Sequence, residues 1–391
     1  MTRVVHVSVV HKPDDPRIHE REGRSLAEAG YEVCYLAPGA PATRDHYGVL
    51  TRPLPKRPRS RRWLDAREVL TEVRALGPEV VHVHDPELLT LFPALRRSVP
   101  RLVYDMHEYV PEQVAAKHYI PATVRPHAAR LTAVAQRHLA ALGDGAVTVT
   151  EEQFEALGPK PRLRLALPNY PRVERFTGAE PLPGLAADPR LKIAYVGSLR
   201  RDRGCALMLD VMEQLAAGEA VLYLGGVFAD QEMEDEARQR LAAGLHDRVK
   251  LLGRVPPAEL PRYLSAADVV WVPSLPSRQH DNPTVPTKLF EGMASGLAAL
   301  VSNLPGRGEI VRLEECGLAV PADAEGHLRG VRRLLADRGE VAGMGLRGRV
   351  AVERRYSWEA LAGDLVDFYG SLCAGLPSAA GSRDDQGVTA P

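Results

Sequence analysis

Short apolar runs alternate with longer amphipathic stretches along most of this chain. Val4–Val10, Glu32–Leu36, Val80–Val83, Leu102–Tyr104, Ala146–Val149 and Leu163–Leu167 are nearly continuous in apolar residues. That is the pattern of strands buried on both faces rather than on one. Between them, Arg17–Ala29, Leu64–Leu76 and Pro126–Leu142 repeat apolar positions at helical spacing. The alternation predicts a parallel sheet covered by helices on both sides. A proline-rich stretch, Pro168 to Pro189, interrupts it with the composition of a linker. Strand-like runs then resume at Lys192–Val196, Ala220–Leu224, Val249–Leu252, Val269–Val272 and Leu297–Val301.

The expectation is an α/β chain of two doubly wound, Rossmann-like domains, at residues 1–170 and 191–355, joined by a linker over 171–190. A final helix is predicted over 356–375, before a disordered polar tail over 376–391. Folds of this kind bind ligands beyond the carboxyl ends of their strands, here expected in the cleft between domains.

Composition narrows the classes. At 391 residues, 45% hydrophobic and 26% charged, the chain can bury two cores. Fifty basic residues balance fifty acidic ones, so the basic excess of a nucleic-acid binder is missing. Arg52, Lys56, Arg57, Arg59, Arg61 and Arg62 form one local basic run, readable as a solvated loop or as a contact with an anionic membrane. Cys34, Cys205, Cys316 and Cys373 are far apart, which suits a reducing compartment and gives neither a disulfide framework nor a zinc knuckle. The apolar run at Val4–Val10 is too short for a signal peptide, and no run has bilayer length. A cytoplasmic protein, at most peripheral to a membrane, is expected.

Polar residues gather where predicted strands end. His11 to Ile18, including Asp15 and Arg17, follow the first strand. His84, Asp85 and Glu87 follow Val80–Val83, and Asp105, His107 and Glu108 follow Leu102–Tyr104. Three such loops in one domain point to a shared site, with His107 and Asp85 foremost. In the second half, Gly197-Ser-Leu-Arg-Arg-Asp-Arg-Gly204 follows a strand and opens a helix. Gly197 permits a tight turn, and Arg200, Arg201 and Arg203 can meet phosphates. There is no Walker lysine and no dinucleotide fingerprint, so NAD is not expected.

Pro283-Thr-Val-Pro-Thr-Lys-Leu-Phe-Glu-Gly-Met-Ala-Ser-Gly296 is the most informative segment. Thr287 is the expected N-cap of a short helix, which places Lys288 in the first turn, where a cation opposes the helix dipole. An anion at the helix start would relieve that conflict, and Glu291 one turn on can hold sugar hydroxyls. The alternative is an amphipathic helix with Leu289, Phe290 and Met293 inward and its charges merely solvated.

With these motifs in order, from DDPRIHEREGRSLAEAGYEV through VVHVHDPELL, YDMHEYVPE, LPNYP, AYVGSLRRDRG, AADVVWVPS and PTKLFEGMASGLAALVS to CGLAVPAD and YSWEALAGDL, the chain resembles the retaining nucleotide-sugar glycosyltransferases of glycosyltransferase family four. The resemblance implies the GT-B fold, with a C-terminal helix crossing back to the first domain. It also implies transfer from a nucleotide-diphosphate sugar to a carbohydrate, lipid-linked or small-metabolite acceptor, with no cofactor and no metal. His107 is similar to the family's cleft histidine, Arg203 and Lys288 to its diphosphate-binding pair, and Glu291 to the ribose-binding glutamate. Gly253, Arg254 and Val255 match the base-reading loop. Gly197, Ser198, Arg200, Thr287 and Leu289 fall in the donor motifs, whereas Asp15, Arg17, His84, Asp85 and Glu108 fall in the acceptor-side loops.

Two departures stand out. Pro283 occupies the place of the family's first glutamate, so Asn282 is expected to hold donor-sugar hydroxyls instead. Ser198 replaces the usual arginine after the phosphate-loop glycine. The rival readings are a nucleotide-sugar epimerase and a catalytically silent nucleotide-sugar-binding subunit.

Overall fold

The computed structural model describes all residues except 46, 59–60, 62–63, 108–120, 122, 278–284 and 377–391. The chain forms two units, Met1–Pro168 with Leu361–Pro391, and Asn169–Ala360.

The first unit is built on β1 (Arg3–Val7), β2 (Glu32–Pro38), β3 (Thr43–Arg44), β4 (Leu50–Leu54), β5 (Val80–Val83), β6 (Arg101–Met106), β7 (Gly145–Thr148) and β8 (Leu163–Ala166). Their order across the sheet is β3-β4-β2-β1-β5-β6-β7-β8, parallel except for the short β3 at the edge. β1 ends sooner than its apolar run suggests. Ser8 and Val9 leave the strand to bond the Asp85 carboxylate, at 2.9 Å from the hydroxyl and 2.6 Å from the amide.

Period-two alternation sorts the strand residues between faces. Val5, Val7, Val81, Val83, Leu102 and Tyr104 point into one core. The opposite face carries His6, which pairs in register with His82, and further along it His84 and Asp105. All four are buried. Over this polar face lies a wide π-type helical turn, Pro16–Gly23, which continues as the helix Arg24–Glu28. The predicted return of the C-terminal helix is observed. Trp358–Cys373 starts in the second unit and ends on the first sheet, where the Tyr369 hydroxyl lies 2.7 Å from His82 Nδ1.

The second unit contains β9 (Leu191–Val196), β10 (Ala220–Gly225), β11 (Val249–Gly253), β12 (Val269–Val272), β13 (Ala298–Ser302) and β14 (Gly317–Val320), ordered β11-β10-β9-β12-β13-β14 and wholly parallel. Two helical layers enclose it, giving one core around Trp271 and another around Phe290. The proline-rich stretch expected to be a linker packs on this unit, because Phe176 is buried in the second of these cores. The edge strands β3, β4 and β14 were not foreseen, being short or interrupted by proline.

Of the basic run, Arg52 pairs with Glu72 at 3.2 Å, and Arg57 pairs with Asp65 and Glu68, each at 2.6 Å. These arginines are committed to the helix Asp65–Leu76. Among the described residues no helix is long and apolar enough to cross a membrane.

Close helix packing in the second unit depends on Gly345. A Cβ there would lie 2.0 Å from the Gly296 carbonyl oxygen, so the helix Arg338–Arg355 touches the turn before β13 through bare backbone. Gly345→Ala should therefore destabilise the fold by about 1–3 kcal/mol, although alanine is the better helix former. Gly370→Ala, in the helix Trp358–Cys373 with nothing within 4 Å, should instead be neutral or stabilising. Urea unfolding of both variants measures the contrast.

Candidate active site

Each unit presents a polar cluster at the carboxyl ends of its central strands. In the second unit the cluster starts at β9. Gly197 leaves this strand with φ of 153°, and a Cβ there would sit 2.7 Å from Lys288 Nζ. The amine reaches this position from the helix Thr287–Ala294 and lies 3.6 Å from the centroid of the Tyr195 ring. That ring is held in turn, as its hydroxyl donates to the Ser198 carbonyl at 2.8 Å. Gly204, at φ of 79°, lets the arginine loop press on the end of β12, where a Cβ would meet the Pro273 carbonyl oxygen at 2.1 Å.

The three arginines of that loop are placed differently. Arg200 pairs with Asp202 at 2.8 Å, and Arg201 pairs with Glu232 at 3.4 Å and Glu236 at 3.2 Å. Arg203 Nε is buried without a partner among the described residues. Burial, reinforced by the Arg203 charge and only partly offset by Glu291, lowers the Lys288 pKa to about 7. Arg307, at the start of the helix after β13, is also buried; burial and Arg203 bring its pKa down to about 10. Lys288 and Arg307, from two neighbouring strand ends, thus both feel the charge of Arg203. No sequence motif marked Arg307; its signal would have been the charge in the turn after a buried strand.

Two donor-side expectations are corrected. Thr287 is not the N-cap: the helix takes Thr287 as its first residue, and the preceding Pro286 has extended geometry and no side chain able to cap. Leu289 is wholly buried in the core, as are Phe290 and Met293, so its side chain cannot reach a ligand. Gly253, with φ of 64°, ends β11 and is followed by exposed Arg254 and half-buried Val255. Asn282 lies outside the described residues, as does Glu108 on the acceptor side.

The first unit's cluster is held by Asp105. Arg17 Nε and Nη2 donate to its two oxygens at 2.9 and 3.1 Å, and Arg17 Nη1 donates to the Leu167 carbonyl at 2.7 Å. His107 Nε2 lies 2.8 Å and His84 Nδ1 3.3 Å from Asp105 Oδ2. Burial opposes ionisation of this carboxyl, but Arg17 and His107 outweigh it and hold its pKa well below the ordinary range. Behind it, His84 Nε2 meets His6 Nδ1 at 2.8 Å. Burial keeps His6, His82 and His84 neutral, with His84 down to about 4. It also raises Glu22, with help from the Asp105 charge, although Arg17 stands 3.0 Å away.

Arg17, His84 and Asp85, expected on the acceptor side, are therefore beneath the surface, engaged in holding the loops. Asp15 caps the helical turn by accepting from the Arg17 and Ile18 amides at 2.9 and 3.1 Å, and it bonds His11 at 3.0 Å. His107 keeps 15% of its side chain exposed. His6 and His82 were missed because apolar runs such as VVHV read as uniformly buried strands, and Glu22 because it lies in the polar stretch PRIHEREG. The period-two recurrence of histidine in VHVHD was the available clue.

Two groups here have donor atoms within 4.8 Å of one another, His6 with Glu22, His82 and His84, and His84 with Asp105 and His107. The rings of His6, His82 and His84 lie over one another at 4.6 to 5.1 Å, tilted by 16° to 37°. Arg17 supplies positive charge to both groups, 3.0 Å from Glu22 and 2.9 Å from Asp105.

The lowered Lys288 pKa has a testable sign. Unfolded lysine titrates near 10.5 and folded Lys288 near 7, so the folded chain binds fewer protons between these values. Its destabilising effect is full below about pH 7 and vanishes above the unfolded pKa. Lys288→Met should thus stabilise the protein, on the order of 3 kcal/mol in mild acid, with the gain shrinking towards pH 10. Urea unfolding across this pH range measures it.

A family model described as Glycosyltransferase Family 4 matches residues 20–160, and one described as Glycosyl transferases group 1 matches residues 190–337. The amylovoran biosynthesis glycosyltransferase AmsK of Erwinia amylovora is 33% identical over 170 residues, 43% of this chain and 41% of that protein. The phosphatidyl-myo-inositol mannosyltransferase of Mycolicibacterium smegmatis is 26% identical over 384 residues, 92% of each chain. In structure, sucrose-phosphate synthase from Thermosynechococcus elongatus superposes with a TM-score of 0.73 at 23% identity, covering 96% of this chain and 100% of that one. Anabaena HepE in complex with UDP-glucose also gives 0.73, at 14% identity over 95% and 100% of the two chains. The two parallel-sheet units and these likenesses make the fold GT-B. With one matching model on each unit, together covering most of its length, the chain belongs to glycosyltransferase family 4.

Proposed function

We propose that this chain transfers a sugar from a nucleotide-diphosphate sugar to an acceptor hydroxyl, with retention of anomeric configuration and without a metal ion. The observation that carries this reading is the pair of cations at Gly197. Lys288 and Arg203 repel one another in a largely buried setting, with Glu291 as the counter-charge that acts on Lys288. A diphosphate neutralises that excess, and the bare backbone of Gly197 allows it close approach.

In the reaction the bond from the anomeric carbon to the diphosphate oxygen breaks, and its electron pair leaves with the diphosphate. Lys288 and Arg203 stabilise the charge that develops there. The acceptor oxygen bonds the anomeric carbon on the same face, and its proton passes to the departing phosphate oxygen. Glu291 holds the donor ribose, the backbone around Gly253 to Val255 meets the base, and His107 meets a sugar hydroxyl. The acceptor is assigned to the first unit's strand-end loops, and Asn282 to the donor sugar. Peripheral attachment to a membrane is compatible with this reading, the mannosyltransferase relative being named for a phosphatidylinositol substrate. No observation favours an epimerase or a silent subunit.

A thermal-shift panel of nucleotide sugars that includes UDP-glucose and GDP-mannose should identify the donor by a rise in melting temperature. With that donor, Lys288→Ala should lose about 2–4 kcal/mol of transition-state stabilisation. His107→Ala should lower turnover strongly while calorimetry shows unchanged affinity for the nucleoside diphosphate. Wild-type turnover in the lysine variant would remove Lys288 from the leaving group.

Activity should survive EDTA, since protein cations are assigned the leaving group's charge. Loss on chelation that magnesium or manganese restores would overturn the metal-independent reading.

A further inference from the structure

We propose that Asp105 is a positioning residue that holds His107 as its Nε2–H tautomer, so that the outward Nδ1 accepts a hydrogen bond from a substrate hydroxyl. The substrate side of this inference rests on the reading of His107 given above; the tautomer does not.

An ionised carboxylate accepts and cannot donate, and its two oxygens offer about four lone-pair sites. Four N–H groups face those of Asp105: Arg17 Nε at 2.9 Å, Arg17 Nη2 at 3.1 Å, His107 Nε2 at 2.8 Å and His84 Nδ1 at 3.3 Å. The carboxylate is completely buried, so any of these nitrogens left without its proton would set a lone pair against a desolvated negative charge. The Arg17 donors are always protonated. For the two histidines the requirement decides the tautomer.

The contacts behind Asp105 concern the tautomer of His84. His84 is neutral and has one ring proton. Placing it on Nδ1, towards Asp105, leaves Nε2 as the acceptor for His6 Nδ1–H at 2.8 Å. The reverse arrangement would turn the His84 Nδ1 lone pair towards both Asp105 and, at 3.2 Å, His107 Nε2. The first arrangement satisfies the buried Asp105 charge but sets the N–H groups of His84 and His107 3.2 Å apart, whereas the reverse would make His84 Nδ1 a second acceptor for His107 Nε2–H; in both, the His107 proton stays on Nε2. In the first arrangement the donors run from the interior outward, His6 to His84 to Asp105, and meet His107 coming from the surface.

His107 Nδ1 takes no part in these contacts, and this ring is the member of the cluster with solvent exposure, 15% of its side chain against 0% for His84 and Asp105. A neutral imidazole held by Nε2–H presents at Nδ1 an acceptor and nothing else. It selects a group that can donate, which a hydroxyl does and a carbonyl, ether or fluorine does not. Arg17, tied to Asp105 and to the Leu167 carbonyl, prevents the carboxylate from swinging away.

The test needs no substrate. Long-range proton–nitrogen NMR of protein labelled with 15N-histidine, with the His107 signals identified through His107→Gln, reads which ring nitrogen carries the proton. The expected result is an unprotonated Nδ1 and a downfield, slowly exchanging Nε2–H that is lost in Asp105→Asn. A proton on Nδ1, or an Nε2–H that exchanges like that of an exposed histidine, overturns the proposal. Since Asp105→Asn disturbs a buried ion pair, the wild-type spectrum decides if that variant does not fold. Where it folds, its transfer rate should fall about 10-fold to 100-fold, with calorimetric affinity for UDP or GDP unchanged. An unchanged transfer rate would also overturn the positioning role. If the spectrum is as expected but His107→Gln transfers at the wild-type rate, it is the assignment of His107 to a substrate hydroxyl that fails.

Discussion

The buried ion pair between Arg17 and Asp105 is the constraint on which the first unit's site depends. Asp105 sits at the end of a central strand with no solvent exposure, where an uncompensated carboxylate would be untenable. Arg17 answers it from the helical turn after β1, and the same guanidinium bonds the carbonyl of Leu167, just past the far edge strand β8. One side chain thus joins the ends of β1, β6 and β8. The position of the helical turn, the ionisation of Asp105 and the orientation of His107 all follow from that tie. Breaking such a pair by removing one partner typically costs about 3–5 kcal/mol, because the other charge remains buried.

The second unit handles charge in the opposite way. Its strand-end cluster is left with an excess of one sign, and the cost appears in the depressed affinity of Lys288 for its proton. An arrangement that weakens the unliganded fold but suits a bound anion is expected where binding, rather than stability, has been selected. Arg200 and Arg201, in the same loop, each have a nearby acid instead. The two units share a parallel-sheet plan. They differ in whether charge at the strand ends is balanced internally or left in excess.

Parallel sheets explain why both clusters lie where they do. Each strand enters its crossover from the same end, so the loops that follow neighbouring strands converge. Glycines at Gly197 and Gly204 then allow backbone and side chains closer together than any β-carbon would. The lysine can lie against Gly197, and the arginine loop against Pro273, only because those positions are bare.

Much of this was readable in the amino-acid order. Strand-helix alternation determined two parallel α/β units, since a strand covered on both faces must be apolar nearly throughout. The resemblance carried Arg203, Lys288, Glu291 and His107, because these charges stand in fixed register with glycines and helix starts. Burial and pairing were not readable. Arg17, His84 and Asp85 look like surface residues of polar loops, yet they are interior, because their partners are 21 to 150 residues away in sequence. Thr287 and Pro286 are both reasonable helix entries, and backbone geometry alone chose between them. Leu289 sits in a binding motif but faces the core, as helical period demands once the inner face is known. The sequence by itself determined the architecture and the charges that could meet a donor. Only the tertiary structure decided which of those charges are spent on one another, because a desolvated ion is governed by what lies within a few ångströms in space.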